Sequence, residues 1–364
     1  MNKLGQILLK VLDKSCAAVA CLPRRPLLTL GLLGLAASAA QGQDVYFSQA
    51  FANRQALNPA FAGLLDDYSG TLSYRNQYPT LAGTFQTAQL AADLRLPTPG
   101  LHHAVGLLIS QDRTGEVGYT RLEASAQYAY HTRLTRDLAL SGGAQVGYGR
   151  QRVAYDNFVF GDQIAADGTV NGPSAESVSA FPPSNYLTLG AGAVLYSDQA
   201  WLSLSGQHLN RPNLGFRAQD ELPLRLNVSG GYKYFIQRPT TGKGTAEVRE
   251  ISLTPVASYT RQGGSQRSEA GLYFNAQPVT LGALYRNLPF SNKAGTQHVV
   301  AAIVGIEFGD LRLGYSYDIG VSQLAQDLGG AHELTFTLRA FDKIESSYRR
   351  LRRRNYPLAP CPVF

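Results

Sequence analysis

The sequence predicts an all-β fold, an antiparallel transmembrane outer-membrane β-barrel of about 14 strands. Three observations carry that reading. First, stretches of roughly ten residues between Tyr68 and Phe341 alternate apolar with small or polar side chains. Leu122, Ala124, Ala126, Tyr128 and Tyr130 alternate in this way with Glu123, Ser125, Gln127 and Ala129. A period of two sends the two sets to opposite faces of a strand. Second, the stretches run about ten residues, the length a tilted membrane-crossing strand needs, whereas soluble strands average roughly 5–6. Third, only 16% of residues are charged and no run of 18 apolar residues occurs, so a transmembrane helix is excluded on length.

Residues 1–42 read as a signal peptide. Arg24 and Arg25 supply a basic region, Leu27 to Ala37 an apolar one, and Ala40-Gln41-Gly42 a small-x-small cleavage site. Residues 43–67 read as an N-terminal periplasmic segment leading into the barrel, at most a short plug. The barrel itself is expected over 68–341. Its strands fall near 69–75, 86–96, 104–112, 119–133, 138–152, 186–196, 200–209, 225–236, 251–261, 267–277, 279–287, 299–308, 311–318 and 333–341. Around 299–306 both faces are apolar and the sequence leaves the register open.

Links alternate in length. Thr135-Arg136-Asp137, Ser197-Asp198-Gln199, Gln277-Pro278 and Gly309-Asp310 are short and fit a periplasmic rim. Links 151–185, 210–224, 288–298 and 319–332 are longer and fit the outer side. The long 238–250 stretch and the short Gln262-Gly263-Gly264 break this alternation. Tyr119, Tyr128, Tyr130, Tyr148, Tyr186, Tyr196, Tyr232 and Tyr234 lie near strand ends and are expected to form girdles at the headgroup level.

Residues 342–364 form a basic C-terminal tail, expected to be periplasmic, so that both termini share one side. Losing residues 1–42 removes Lys3, Lys10, Lys14, Arg24, Arg25 and Asp13, and the net charge falls from +7 to +3. Five arginines between Arg349 and Arg354 then supply that excess, which argues against a nucleic-acid surface on the body. The run, with Arg350 and Arg353, suits anionic lipid headgroups or an acidic partner. Cys361 is alone once Cys16 and Cys21 are removed, so no intramolecular disulfide is expected.

No constellation for catalysis, metal or cofactor stands out. The six histidines include one adjacent pair, His102-His103, and none has ligand spacing. Gly142-Gly143 and Gly190-Ala191-Gly192 lie within strands with no helix after them, so phosphate cradling is excluded and relief of crowding in a curved sheet is expected. The chain reads as non-enzymatic.

Two segments outside the regular alternation are specific. The first runs Gln43-Asp44-Val45-Tyr46-Phe47-Ser48-Gln49, then Leu57-Asn58-Pro59-Ala60-Phe61-Ala62-Gly63, then Tyr74-Arg75-Asn76-Gln77-Tyr78. The second runs Leu313-Gly314-Tyr315-Ser316-Tyr317-Asp318, then His332-Glu333-Leu334, and closes on Cys361-Pro362-Val363-Phe364. Together they resemble the PorP/SprF family of type IX secretion membrane proteins, with Tyr78 where the family usually has Trp. The resemblance implies an outer-membrane barrel that docks, helps export or anchors a secreted adhesin carrying a type IX C-terminal signal domain, alongside periplasmic machinery. It makes Asn58, Pro59, Gly63, Tyr74, Arg75, Gln77, Asp318, His332, Glu333, Arg350, Arg353 and Cys361 the candidate partner-binding residues. Asn58-Pro59 and Gly63 also read as a tight turn or cap before the first strand. The alternative function is a passive or hydrophobic-solute channel. A channel is expected to carry a charged lumen or a plug, whereas the inward positions read mainly as Gly, Ser, Thr and Gln with few charges.

Overall fold

A computed structural model describes residues 44–66, 68–80, 83–96, 102–115, 118–154, 159–165, 168–170, 172, 174, 183–214, 221–238, 249–287, 298–321, 329–339 and 360–362. The first half of the wall comprises β1 (Tyr68–Gln77), β2 (Phe85–Arg95), β3 (His103–Thr114), β4 (Tyr119–Arg133), β5 (Ala139–Arg152), β6 (Ser184–Tyr196) and β7 (Ala200–Gln207). The second comprises β8 (Arg225–Tyr232), β9 (Tyr234–Gln237), β10 (Ile251–Gln262), β11 (Ser265–Ala276), β12 (Val279–Arg286), β13 (Val299–Phe308), β14 (Leu311–Gly320) and β15 (Ala331–Leu338). Inside the wall lie one helical turn, α1 (Arg54–Leu57), and a 3-10 turn, Pro59–Phe61.

Every neighbouring pair is antiparallel, and β1 pairs with β15 in the register Tyr74↔Leu334 and Arg75↔Glu333, which closes the sheet. β8 and β9 are two parts of one crossing interrupted at Lys233, both paired with β10, so the 15 hydrogen-bonded segments form a 14-strand closed barrel. Closure leaves no open row of backbone groups around the wall, the condition for a sheet to cross lipid.

The alternation sorts the two faces as the sequence implies. Leu72, Leu90, Leu107, Leu189, Leu204 and Phe336 point outward and stay exposed, in a belt that suits lipid and would be untenable in water. Ser73, Ser141, Thr188, Ser203 and Thr335 point inward and are buried. Outward aromatics mark both rims. His103 meets Tyr128 and Tyr130 at the end bearing the short turns. His332 lies 4.8 Å from the Tyr317 ring centre at the end bearing the long links.

Some expectations shift. Tyr186 and Tyr196 are buried on the inward face, and Tyr119 donates to Gln151 inside the wall, so these three leave the girdle. The open register at 299–306 resolves with Ala301 and Ile303 buried inward and Val300 and Val304 outward. Both faces are apolar there because the inner one packs on an apolar core cluster rather than on water. Gly263-Gly264 is a tight hairpin turn between β10 and β11, with Gly263 at φ +55°, and costs no strand. The last strand ends at Leu338, three residues before 341.

A charge placed on the outer face should be costly. Leu189→Arg, at mid-strand on β6, is expected to lower unfolding stability in lipid vesicles by about 2–4 kcal/mol. Denaturant titration followed by heat-modifiable gel migration measures it, and an unchanged midpoint would contradict this assignment of faces.

Candidate functional site

The lumen is occupied by the chain's own residues 44–66 (hereafter the plug). This backbone is mostly irregular, so it cannot satisfy its own donors and acceptors as a helix does. Its own turns meet part of the need, and the wall meets more. Gln127 donates to the Gln55 carbonyl at 3.1 Å, Gln207 to Ala56 at 2.8 Å and Ser205 to Leu57 at 2.6 Å. Ser141 donates to the Ala60 carbonyl at 2.7 Å, and His131 Nε2 lies 3.1 Å from the Ala62 carbonyl. The inward Ser, Gln and His positions thus line up with the plug backbone.

Asn58 and Pro59 start the 3-10 turn. The Asn58 side chain accepts from the Ala60 amide at 2.9 Å, and Pro59 occupies the first turn, where no amide donor is needed. The Asn58 amide donates into β6 and β7, to Ala193, Ser203 and Leu204 at 2.9–3.1 Å. Two glycines admit this turn: a Cβ on Gly143 would lie 2.4 Å from Ala60 N, and one on Gly192 2.1 Å from Asn58 Oδ1. Crowding is indeed what they relieve, and the plug is its source. Gly63 sits at φ +62° with its amide 2.7 Å from Asp93.

The plug is pinned by charge toward both ends. Asp44, Tyr46 and Ser48, two apart, each meet wall residues at the long-link end. Asp44 accepts from Arg121 at 2.7 Å and from Gln262 at 3.0 Å, and lies 2.7 Å from His208 Nε2. The Tyr46 ring is flanked by Arg75, Arg267 and Arg286, whose guanidinium carbons lie 4.8, 4.1 and 4.5 Å from its centre. The Ser48 hydroxyl donates to Asp318 at 2.6 Å and accepts from Arg75 at 3.0 Å and Arg286 at 2.8 Å, which exhausts its capacity. Glu333 accepts the Ser48 and Gln49 amides at 2.7 and 2.9 Å while pairing with Arg75 at 3.2 Å. Arg75 pairs with Asp318 at 2.7 Å, and Arg286 with Glu269 at 2.6 Å. Toward the short-turn end, Arg54 reaches Asp66 at 3.4 Å and Asp93 at 3.5 Å. Between the two clusters Phe51 packs edge-on to Trp201 at 5.6 Å and to Tyr273 at 6.1 Å.

The structure divides the twelve candidates by this geometry. Asn58, Pro59, Gly63, Arg75, Asp318 and Glu333 belong to the plug and its socket. Gln77 accepts from Arg75 at 3.4 Å at the edge of that socket. Tyr74 and His332, their sequence neighbours, face outward, and His332 bonds Tyr315 at 2.9 Å. The polar grouping of Asp318, His332 and Glu333 is therefore split, because residues 332 and 333 point to opposite faces. Arg350 and Arg353 lie outside the described residues. Cys361 is fully buried in the apolar cluster with Phe51, Phe61 and Leu64, and burial pushes its thiol up to about 12. The expectation of few inward charges is corrected, since Arg75, Glu269, Arg286, Arg312, Asp318 and Glu333 are all inward and buried. Sequence reading quoted Asp44, Tyr46, Ser48 and Gln49 in a motif without making them candidates, and passed over Glu269 and Arg286. Charged side chains in the inward phase of lipid-crossing strands were the available signal, because each demands a partner. Among the described residues, no group of His, Cys, Asp or Glu is placed to hold a metal.

A closed antiparallel wall, an apolar outer belt and a polar, filled interior define an outer-membrane β-barrel. Residues 39–338 match the family described as type IX secretion system membrane protein PorP/SprF, and the chain belongs to that family. No curated protein matches it. Among solved structures it is similar to the outer membrane protein Omp33 of Acinetobacter baumannii, at 10% identity and TM-score 0.38, over 76% of this chain and 97% of that one. It is also similar to a TodX monoaromatic hydrocarbon channel mutant, at 10% and 0.38, over 80% and 93%. A triple mutant of Rhodopseudomonas blastica porin aligns at 8% and 0.33, over 74% and 98%.

The Asp44 anchor has a defined pH range. Burial alone would raise its carboxyl, but Arg121, His208 and Arg225 hold it well below the usual carboxylate range. Its contribution is thus fully present above the unfolded value of roughly 3.9 and is lost only as pH falls through the lower folded value. A spin label on Val45→Cys is expected to stay immobile from pH 7 to about pH 4 and to loosen below that, while adding Asp44→Asn loosens it at every pH. Loosening already between pH 7 and pH 5 in the parent would contradict this anchor.

Proposed function

We propose that this chain is a non-enzymatic partner barrel of the type IX system that docks, helps export or anchors a secreted adhesin through that adhesin's C-terminal signal domain. PorP/SprF is a family of secretion-system membrane proteins not known to be catalytic. The observation that carries the proposal is the filled lumen. With residues 44–66 tied into the wall, the surfaces left for work are the rims and the links.

The link between β5 and β6 offers such a surface. Its described part contains the bridge Ile164↔Val170, with Val159, Ile164 and Val170 each more than half exposed beyond the strand ends. Exposed aliphatic side chains outside the lipid belt suit a protein partner. In this reading the short turns face the periplasm, where the Arg349–Arg354 run following β15 meets machinery or anionic headgroups. Asp44 then lies at the outward mouth, beside Arg121, His208 and Gln262, and Cys361 packs inside the wall, so the expectation of a periplasmic position is kept for the Arg349–Arg354 run alone.

A second reading, a channel gated by its own plug, is supported by the charged lumen. Two experiments separate the readings. Affinity capture of the tagged chain from its native outer membrane, with mass spectrometry, is expected to recover a large protein bearing a type IX signal domain. Recovery of periplasmic ring and lipoprotein components alone would move the chain to the core machinery. In planar bilayers the purified barrel is expected to stay silent, and large steady openings with no captured partner would favour the channel.

A further inference from the structure

Two guanidinium groups at the long-link mouth stand apart from the rest of the charge network. Arg75 places both terminal nitrogens on Asp318, Glu333 and Ser48, with only its Nε left without a partner, and Arg286 bonds through all three nitrogens to Glu269, Asp318 and Ser48. Arg225 does not: its nearest acidic oxygen is Asp44 Oδ2 at 3.7 Å, and its guanidinium makes no hydrogen bond among the described residues. Arg267 is similar. Its Nε lies 3.4 Å from Glu269 Oε1, out of line for a hydrogen bond, and is buried without a partner. Both side chains are largely shielded, 9% exposed for Arg225 and 18% for Arg267. The acids beside them are already committed, Asp44 to Arg121 and His208, and Glu269 to Arg286. A guanidinium offers five N–H donors in a fixed fork, and shielding one without acceptors is costly.

Both arginines line one cavity of about 130 Å³, together with Tyr46, Arg286, Thr260 and Asn287. That volume is about four times the ~30 Å³ share of a water in the liquid, enough for a carboxylate or phosphate group and a little water. Two forks, a stacked phenol ring and added polar side chains form a setting for bidentate recognition of an oxyanion.

We infer that this mouth cavity is a binding site for a small oxyanion, a carboxylate or a phosphate, held between Arg225 and Arg267 against the Tyr46 ring. The site stands on the geometry of wall and plug together and does not depend on the secretion reading. It lies at the end of the plug, where Asp44 also lines the cavity, so an occupant would add counter-charge to Arg225 and Arg267 on the side away from that carboxylate.

Isothermal titration of the purified full barrel in detergent tests this, with sodium acetate and sodium phosphate as probes at constant ionic strength made up with sodium chloride. Saturable one-site binding of at least one probe is expected. Arg225→Gln and Arg267→Gln should each weaken it tenfold or more, and Arg267→Lys, which keeps charge without the fork, should fall between. Arg136→Gln, on an exposed turn far from the cavity, should leave it unchanged. Preference for acetate assigns a carboxylate occupant and preference for phosphate a phosphate-bearing one. Heat-modifiable migration confirms that each variant is folded, and the Lys variant carries the test where a Gln variant is not. Absence of saturable binding by either probe, or equal affinity in a folded Arg225→Gln/Arg267→Gln protein, would overturn the inference.

Discussion

An irregular backbone held at membrane depth has to find in its surroundings the hydrogen bonds that its own turns leave unmade, and the interior of this barrel is organised around that demand. Residues 44–66 contain one turn of helix and one 3-10 turn, whose internal bonds meet part of the backbone, and wall side chains meet further carbonyls and amides that these turns leave open. Five carbonyls between Gln55 and Ala62 are met by Gln127, Gln207, Ser205, Ser141 and His131, drawn from three different strands. The serines, glutamines and glycines of the inner face are thus specific contact residues, since a Cβ on Gly143 would overlap the plug backbone.

Charge supplies the second layer. Buried ion pairs repay their desolvation only when hydrogen bonds complete them, and removing one member costs about 3–5 kcal/mol. Here the completing groups come from the plug itself. Ser48 bridges two arginines and an aspartate, and its amide and that of Gln49 complete Glu333. Plug and wall therefore stabilise each other: without Ser48 and Gln49 the charges of β1, β12, β14 and β15 lose acceptors and donors together. Cys361 joins the same apolar cluster as Phe51 and Phe61, so the far end of the chain also packs on the plug.

Much of the wall was legible in the sequence because period-two alternation is a local signal. Leu122 to Tyr130 and Leu226 to Tyr234 assigned their own outer faces, and the turns at Thr135-Arg136-Asp137 and Gly309-Asp310 fell between strands as expected. The break at Lys233, paired with Glu250, has no local signature. The socket was half legible. Asn58-Pro59 announced a turn, and Arg75, Asp318 and Glu333 were marked as unusual. That they meet one another across 243 and 258 residues is a consequence of closing β1 on β15, which no local pattern encodes. Period-two alternation along β15 then places His332 and Glu333, adjacent in sequence, on opposite faces.

The most direct test of the account is hydrogen–deuterium exchange of the full chain in lipid nanodiscs, followed over the Val45–Leu64 peptides. A plug fixed by wall and charge contacts should exchange as slowly as the central strands, with the Ser48 and Gln49 amides that bind Glu333 among the slowest. Exchange of this segment within seconds, at the rate of a free peptide while the strands stay protected, would contradict it.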